Sequence, residues 1–418
     1  MILTKYKLGD ILDVTRGASL SGEFYATKGE YIRLTCGNFD YQNNCFKENK
    51  SKDNLYYVGD FKPEFLMEEG DIITPLTEQA IGLLGSTAII PESGKYIQSQ
   101  DVAKIICNED LLDKDFAFYL ISSALVKQQL SAAAQQTKIR HTSPDKIKDC
   151  TVWIPELAEQ KRIGKLLRSI DRKIELNRAI NQNLEAMAKQ LYDYWFVQFD
   201  FPNKDGKPYK SSGGEMVWNE KLKRMIPKEW TNANIYQLAS ISKETVNPQA
   251  QSNELFKHYS LPEYDKTGTY AEEYGIDIQS AKFIVTNNCI LVSKLNPWTS
   301  RVICGNRGSN QICSTEFVVW NPVSLKTKGF LFMLAKSAKF IEYCTQGATG
   351  TSHSHRRINP ELMMKFDFPY NSEIAIKFSR LIENIIGKLH DNIAQLKILT
   401  KQRDELLPLL MNGQITIE

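Results

Sequence analysis

The chain has 418 residues, of which 42% are hydrophobic and 24% are charged. This composition excludes a mainly disordered protein and, at this length, predicts two to roughly four domains. The net charge of +3, from 52 basic and 49 acidic residues, is too small to indicate nucleic-acid binding by itself. Any such function must therefore be argued from where the charges lie.

The beginning of the sequence lacks the features of an exported protein. It contains no apolar segment followed by a small-residue cleavage site, and no run approaches about 18 consecutive apolar residues. We therefore expect a cytoplasmic protein. No Cys-x-x-Cys pair occurs, and this scatter is typical of reduced, partly buried thiols rather than of disulfides; the cysteines are Cys36, Cys45, Cys107, Cys150, Cys289, Cys304, Cys313 and Cys344.

The sequence repeats itself once. Three short segments recur in the same order, each about 216 residues further along the chain. The similar pairs are Ile72–Leu76 with Leu291–Leu295, Ser99–Val102 with Ser314–Phe317, and Ser143-Pro-Asp145 with Asn359-Pro-Glu361. Their common order and spacing predict an internal pseudo-two-fold repeat.

Each half begins with a globular unit of mixed character. Short β-branched and apolar runs, broken by Gly, Pro and Asn, predict strands. Asp115–Leu130 and Lys328–Tyr343 have helical spacing instead. The predicted fold class is mixed α/β (α+β), with two similar units of about 140 to 150 residues each.

A long amphipathic helix is predicted after each unit. In the first helix, two rows recur every seven positions: Ile163, Ile170, Asn177, Leu184 and Leu191, with Leu166, Lys173, Ile180, Met187 and Tyr194 three residues later. In the second, the rows are Ala375, Ile382, Leu389, Leu396, Arg403 and Leu410, with Phe378, Ile385, Asn392, Leu399 and Leu406. Heptads sustained over about five repeats are the signature of a coiled coil. We expect each helix to have about 40 residues and a length of about 60 Å.

The ends of these helices have sequence signals of their own. Pro155 and Pro369 suit helix N-termini, and Asn412-Gly413 suits the end of the second helix. One asparagine interrupts each seam, Asn177 and Asn392. A polar seam residue lowers stability and fixes register or partner number. The alternative, that one or both asparagines face solvent, stays open from sequence alone.

Catalytic motifs are scarce. No P-loop pattern occurs, and Asn296-Pro-Trp298 lacks the second proline and the glycine-rich cofactor loop expected of an adenine methyltransferase. Pro144-Asp145 with Glu159-Gln-Lys161 fits a nuclease pattern superficially, but an acid at a helix N-terminus is better explained by the helix dipole. His353-Ser-His355 has no metal-ligand partner at suitable spacing. We expect a non-catalytic chain without a metal site.

A basic, hydroxyl-rich loop precedes each long helix. The first, Gln135–Ser143, contains Lys138, Arg140 and His141, and the second, Gly347–Arg357, contains Ser352, His353, His355, Arg356 and Arg357. Such side chains bind phosphates and base edges. A solvated charged face is the alternative for either loop alone, but recurrence in both halves favours DNA binding. Further candidates, in loops containing Gly or Pro, are Arg16, Trp298 and Arg301.

The long helices carry a family resemblance. Pro155-Glu-Leu-Ala-Glu-Gln-Lys-Arg-Ile163, Ile170–Asn177 and Leu184–Ala188 resemble the central conserved region of type I restriction–modification specificity subunits (HsdS). Arg403–Ile415 resembles the C-terminal conserved region of that family, and Phe199–Pro202 with Gly206–Gly214 resembles the segment after the central region. The first basic loop departs from the pattern, since Gln135-Gln136 stands where a glycine is expected.

The resemblance implies an architecture and a set of partners. Two target-recognition domains, residues 1–154 and 231–368, would each bind one half of a bipartite, asymmetric sequence in double-stranded DNA. Two antiparallel helices, 155–199 and 369–418, would separate them and dock the partners through their seam residues, with a linker over 200–230. The partners would be two methyltransferase and two restriction subunits, which would hold S-adenosylmethionine, ATP and Mg²⁺.

Two alternatives remain open from the sequence. One is a self-contained methyltransferase or nuclease that carries its own recognition domains, and the other is a coiled-coil scaffold that does not bind DNA. Absent cofactor and metal motifs argue against the first. The repeated basic loops argue against the second.

Overall fold

The computed structural model describes residues 2–78, 82–133, 140–306, 308–350 and 355–417. The chain forms two compact units: unit 1 comprises 1–174 with 398–418, and unit 2 comprises 175–397. Each unit therefore includes part of both long helices. Over the described ranges, no helix combines the length and the apolar character needed to cross a membrane.

Unit 1 is built from short strands, short α-helices and parts of the two long helices. Its strands are β1 Thr4–Lys7, β2 Leu12–Arg16, β3 Tyr25–Ala26, β4 Tyr31–Arg33, β5 Phe39–Asp40, β6 Cys45–Phe46, β7 Tyr56–Tyr57, β8 Ile72–Pro75, β9 Thr77–Glu78, β10 Ala88–Ile89, β11 Tyr96–Ile97, β12 Val102–Cys107, β13 Arg140–His141 and β14 Thr151–Ile154. The helices are α1 Leu8–Ile11, α2 Lys114–Ile121, α3 Ala124–Ala133, α4 Pro144–Lys148 and the long α5 Leu157–Tyr192, which continues into unit 2.

Two four-stranded sheets organise unit 1. One is antiparallel with the order β10-β8-β12-β2, and the other has the order β11-β4-β7-β3 with β11 and β4 parallel. Strand β1 pairs with β14, immediately before α5. The main core lies between the first sheet, α2 and the ends of the long helices; it includes Ile105, Phe116, Ile163 and Leu410.

Unit 2 has the same kinds of element. Its strands are β15 Met216–Asn219, β16 Arg224–Pro227, β17 Thr231–Asn234, β18 Ala239–Ser242, β19 Thr245–Val246, β20 Leu255–Tyr259, β21 Ala271–Tyr274, β22 Lys282–Val285, β23 Ile290–Ser293, β24 Val302–Cys304, β25 Gln311–Cys313, β26 Phe317–Pro322 and β27 Asp367–Tyr370. Its helices are α6 Leu261–Thr267, α7 Lys328–Ala335, α8 Ala338–Gln346, α9 Pro360–Met364 and the long α10 Ser372–Met411, which continues into unit 1.

The predicted internal repeat is confirmed by the topology of each unit. The antiparallel sheet of unit 2 has the order β18-β26-β23-β24, which matches β2-β12-β8-β10 of unit 1 strand for strand. Strand β17 pairs with β27 as β1 pairs with β14. The second sheet of unit 2 has the order β19-β22-β25-β20-β21. It contains one parallel pair, β20 with β25, as the second sheet of unit 1 contains β4 with β11. The expectation of a mixed α/β fold is also confirmed.

The backbone sharpens the sequence matches. Ile72 pairs with Ile105 in unit 1 as Ile290 pairs with Trp320 in unit 2, so Ile72 corresponds to Ile290. The proposed match to Leu291 was therefore one residue late. The other two matches hold: Ser99 and Ser314 open equivalent turns, and Ser143 and Asn359 cap α4 and α9 through their side chains.

The long helices run antiparallel in the portions that each unit contains. In unit 1, Asp171 of α5 contacts Arg403 of α10, and in unit 2, Asn177 contacts Gln395. Both predicted rows of α10 are buried or half-buried along the seam. In α5, the row of Ile163 is confirmed, but its companion row lies one residue later than predicted.

That companion row consists of Leu167, Ile174, Asn181 and Ala188, which are buried or half-buried, whereas Ile180 and Met187 are 37% and 50% exposed. Consecutive seam residues of α5 are therefore four and then three positions apart, whereas the predicted rows were three and then four positions apart. Leu166 and Leu167 are both apolar, so the pattern at the start of the helix fits either order.

The two seam asparagines are both paired. Asn177 Nδ2 donates to Gln395 Oε1 at 2.9 Å, and Asn392 Nδ2 donates to Asn181 Oδ1 at 3.0 Å. Neither residue simply faces solvent, and they do not bond each other. They form a polar layer in unit 2, which fixes the register of the two helices there.

The helix ends differ in part from expectation. Pro369 lies within β27, in a two-stranded sheet that tolerates a missing N–H, and Pro155 lies two residues before α5, so neither proline is in a helix. Asn371 instead caps α10, accepting from the backbone N of Ile374. At the other end the predicted stop is confirmed: Gly413 has φ 71°, and Gln414 N donates to Leu409 O.

Residues 200–230, predicted as a linker, fold as part of unit 2. The rings of Phe201, Tyr209 and Trp230 stack, with centroids 4.8 and 5.1 Å from that of Phe201, and β15 and β16 form a hairpin. None of the eight cysteines, all of which lie in the described ranges, forms a disulfide bond. Burial raises the pKa of the Cys304 thiol to about 11.

Candidate nucleic-acid interface

The end of each basic loop pairs with an equivalent segment in the two units, the one that follows β8 in unit 1 and β23 in unit 2. In unit 1, β13 pairs with β9, so that Arg140 lies opposite Glu78 and His141 opposite Thr77. In unit 2, Asn296 N donates to Arg356 O, and Arg357 forms a bridge with Leu295. Thr142 N then donates to Leu76 O, as Ile358 N donates to Lys294 O. The two loops therefore occupy equivalent places.

The site in unit 1 combines two acids with two basic side chains. Arg140 Nη1 lies 3.6 Å from Glu78 Oε2 and donates to Ser131 Oγ at 3.0 Å. The Glu78 side chain is only 7% exposed. Its Oε1 accepts from Gly82 N at 2.8 Å, whereas Oε2 has no hydrogen-bond partner among the described atoms, so the nearby positive charge of Arg140 compensates that oxygen.

His141 takes part through a hydroxyl. Its Nδ1 lies 3.3 Å from Thr77 Oγ1, which donates to Asp101 Oδ1 at 3.2 Å. Asp101 directly precedes β12, so these contacts join the basic loop to the start of that strand in the main sheet.

The site in unit 2 contains a two-point ion pair. Arg357 Nε donates to Glu316 Oε2 at 2.9 Å, and Nη2 donates to Oε1 at 3.0 Å. The hydrogen bond to Glu316 raises the pKa of Arg357, so its positive charge is secure. Glu316 corresponds to Asp101 and Arg357 to His141, so an acid and a basic side chain recur at one place with different chemistry.

Arg356 has a role in shaping the loop. Its backbone N donates to Asn296 Oδ1 at 3.1 Å, and its guanidinium Nη2 donates to the carbonyl of Ala348. Gly350 lets the loop close, because a Cβ there would lie 2.5 Å from His355 O. His355 itself is exposed.

Trp298 and Arg301 lie on a strained turn beside this loop. Asn296 and Ser300 both have positive φ, 48° and 50°, on either side of the short helical turn Pro297–Thr299. Trp298, within this turn, is 42% exposed. Arg301 donates to both oxygens of Asp265, at 2.6 and 2.7 Å, and its side chain is only 14% exposed.

Arg16 is the last residue of β2. Its Nε donates to Gln100 O at 2.8 Å, and Ala18 bridges to Ser99. Gly17 permits this approach, because a Cβ there would lie 2.3 Å from Gln98 O. The predicted residues Lys138, Ser352 and His353 lie outside the described residues.

Sequence reasoning missed the acidic partners. Glu78, Asp101, Asp265 and Glu316 all contact predicted residues or their neighbours, yet only Asp101 and Glu316 had a signal, because they stand in the repeated segments Ser99–Val102 and Ser314–Phe317. Ion pairs between residues 36 or 41 positions apart leave no local pattern.

The nuclease-like residues have structural contacts. Glu159 pairs with Arg162 at 2.6 Å and accepts from Ile417 N, while Asp145 lies in the first turn of α4. Asn296 supports the loop through Arg356. In the part of the chain that the structure describes, no group of three or more His, Cys, Asp or Glu is placed to hold a metal ion.

The fold is a duplicated mixed α/β scaffold that carries a polar site at an equivalent place in each unit. Residues 3–186 match the family model described as the type I restriction modification DNA specificity domain. The chain is 22% identical over 326 residues to the type I restriction enzyme MjaIX specificity subunit of Methanocaldococcus jannaschii, covering 75% of this chain and 72% of that protein. It is 24% identical over 376 residues to the HindI specificity subunit of Haemophilus influenzae, covering 77% and 81%.

A solved structure supports the fold. The S subunit of a type I restriction–modification system from M. genitalium aligns with a TM-score of 0.64 at 14% identity, over 98% of this chain and 96% of that one. Residues 3–186 thus match the type I DNA specificity domain, and about three quarters of the chain is similar to type I restriction enzyme specificity subunits.

Proposed function

We propose that this chain is the DNA sequence-specificity subunit of a type I restriction–modification enzyme. Target-recognition domains at residues 1–154 and 231–368 each bind one half of a bipartite, asymmetric duplex sequence. The long helices α5 (Leu157–Tyr192) and α10 (Ser372–Met411) connect them, and the seam residues support docking of partners. One observation carries the proposal: an acid–base site recurs at the same place in both units, built from different side chains.

The recurrence fits DNA for two reasons. Basic side chains on fixed backbone supply phosphate and base contacts, and the loops carry Ser and Thr hydroxyls beside them. Different side chains at equivalent points would read different bases, which is what an asymmetric target requires. The name of each relative places it in a type I restriction enzyme as the specificity subunit.

The proposal gives the chain no catalytic step of its own. Two methyltransferase subunits and two restriction subunits supply the chemistry and hold S-adenosylmethionine, ATP and Mg²⁺. The polar groups that resembled a nuclease or methyltransferase motif are occupied in structural contacts, as described for Glu159 and Asn296.

The test maps sequence preference with the complex as it assembles. The full chain, co-purified with its methyltransferase partner, would select duplexes from a random library, and methylated adenines in the selected DNA would be mapped. We expect a bipartite motif. Arg140→Ala with His141→Ala should change only one half of it, and Arg356→Ala with Arg357→Ala only the other. Lys228→Ala, which removes an exposed ion pair with Glu215, is the control.

Three outcomes would contradict the proposal. Methylation by the purified chain alone, with S-adenosylmethionine, would favour a self-contained enzyme. Absent or salt-insensitive duplex binding by the complex would favour a scaffold that does not bind DNA. If both double variants selected the wild-type motif, the acid–base sites would not contribute to recognition of the DNA sequence.

A further inference from the structure

We propose that Glu316 is a specificity-determining positioning residue, which holds Arg357 so that the free edge of its guanidinium reads a guanine in the half-site bound by unit 2. This inference rests on the proposed function and deepens it. It names one base class at one of the two recognition sites.

The geometry leaves a suitable pair of donors. A guanidinium carries five N–H groups, and Glu316 engages those on Nε and Nη2 along one side. Within the described contacts of Arg357, the edge formed by Nη1 and the second hydrogen of Nη2 is unused. Two parallel donors match the O6 and N7 acceptors that guanine presents in the major groove. The Arg357 side chain as a whole is 45% exposed.

Both members of the pair stand on fixed backbone. Arg357 N donates to Thr349 O at 2.8 Å, and Thr349 N donates to Arg357 O at 3.0 Å. Lys294 joins the two segments, because its N donates to Glu316 O while its O accepts from Ile358 N. A side chain that is held by rigid elements can distinguish bases by the geometry of its hydrogen bonds, rather than only attract DNA by its charge.

The two other arginines predicted to bind DNA in unit 2, Arg301 and Arg356, lack this arrangement among their described contacts. Arg301 is held by Asp265 in the same two-point manner, but its Nη1 donates to Thr299 Oγ1 at 2.6 Å and the side chain is nearly buried. The guanidinium of Arg356 donates to the Ala348 carbonyl. Of the three, Arg357 alone combines a held guanidinium, on a side chain that is 45% exposed, with a donor edge that is unused in these contacts.

Unit 1 provides an internal comparison. His141 stands where Arg357 stands in unit 2, and it contacts Asp101 through Thr77. An imidazole lacks the two parallel donors of a guanidinium. We therefore place the guanine contact in the half-site bound by unit 2. Selection of the half-site bound by unit 1 then serves as a control that the complex is folded and assembled.

The experiment compares selected sequences from the complex of the full chain with its methyltransferase partner, using wild type, Arg357→Ala, Glu316→Gln and the matched control Glu215→Gln. Wild type should select one guanine in the unit 2 half-site that Arg357→Ala no longer selects, with all other positions kept. At that position the preference should fall about 5- to 150-fold, the range for a bidentate arginine–guanine contact. Glu215 lies in an exposed ion pair beside the β15–β16 hairpin, so its variant should select the wild-type motif.

Glu316→Gln separates positioning from simple electrostatics. Removing a negative charge near DNA should raise affinity for all duplexes, whereas loss of positioning should lower the ratio of guanine to other bases at that one position. We expect both effects together. Replacing the guanine by 7-deazaguanine, which lacks the N7 acceptor, should weaken wild-type binding and leave Arg357→Ala unaffected.

The outcomes distinguish this inference from the proposed function. A bipartite motif that is identical for wild type and Arg357→Ala would overturn the guanine contact while leaving the specificity subunit intact. A higher affinity of Glu316→Gln with an unchanged base ratio would overturn the role of Glu316. Failure of the wild-type complex to select any motif would overturn the proposed function itself.

Discussion

Replacing Arg403 by methionine should destabilise unit 1 by about 3 kcal/mol, because it leaves a carboxylate inside the helix pair without its cation. Arg403 Nη1 lies 3.2 Å from Asp171 Oδ1, and both side chains are only 10% exposed. The Tyr119 hydroxyl donates to Asp171 Oδ2 at 2.5 Å. Burial lowers the pKa of Arg403, but the charges of Asp171 and Asp404 outweigh it and raise that pKa.

The magnitude follows from what remains after the substitution. Removing one partner of a buried ion pair costs about 3 to 5 kcal/mol. The lower value applies here, because Tyr119 continues to hydrogen-bond Asp171 and methionine keeps most of the arginine stem in place. Lys401→Met removes an exposed charge from the same helix, whose pair with Glu405 spans 3.9 Å, and should cost less than about 1 kcal/mol.

The repeat predicts how the loss can be reversed. In unit 2, the positions that correspond to Tyr119, Asp171 and Arg403 are occupied by Met333, Ile386 and Ala188, all apolar and buried or nearly so. The triple variant Tyr119→Phe, Asp171→Ile, Arg403→Met should therefore recover most of the stability. Apolar groups of similar volume often replace a buried ion pair at no cost.

Chemical denaturation of the full chain, with hydrogen exchange followed in α2, would measure both effects in unit 1. A triple variant as unstable as Arg403→Met would refute the reasoning from the repeat. An Arg403→Met chain as stable as Lys401→Met would show that the buried pair contributes little to unit 1.

Other expectations concern unit 2 and the helices. Leu184→Asp should disrupt the seam and lower the melting temperature, since an unpaired charge there costs several kcal/mol; a wild-type melting curve would contradict this. Deleting Arg178–Leu184 together with Leu389–Gln395 shortens both helices by about 10 Å, so the spacer mapped by methylation should shorten by about three base pairs. Burial lowers the pKa of His258, whose Nε2 is buried without a hydrogen-bond partner among the described atoms, so the folded state binds that proton more weakly than the unfolded chain. Stability of unit 2 should therefore fall as pH drops below about 6.5, and His258→Asn should reduce that fall in thermal melts at pH 7.5 and 5.5.

The repeat was predictable because local backbone chemistry recurs in it. Ser143-Pro-Asp145 and Asn359-Pro-Glu361 are both a capping side chain, a proline in the first turn and an acid near the helix N-terminus. Each element of this signature acts within a few residues, so it is visible in sequence. The one-residue error at Ile72 arose where β-strand residues are interchangeable apolar groups.

The seam and the ion pairs show where sequence reasoning stops. The order of spacings in α5 depends on which of two adjacent leucines meets α10, which only the packed helices decide. The carboxylates that hold Arg140, Arg301 and Arg357 come from elements brought together by the sheets. Periodicity finds the faces of helices and strands, but it carries no information on which charged side chains meet across a fold.

Conservation of backbone with divergence of polar side chains is the main structural lesson of the two units. Strand order, parallel pairing and helix caps agree between them. At the interface, however, Glu78 and Arg140 of unit 1 are matched by Asn296 and Arg356 of unit 2, and the pair Asp101 and His141 by Glu316 and Arg357. The apolar scaffold tolerates few changes, because packing fixes it, whereas exposed donors and acceptors can change without loss of the fold. A duplicated scaffold of this kind can therefore acquire two different base preferences while keeping one architecture.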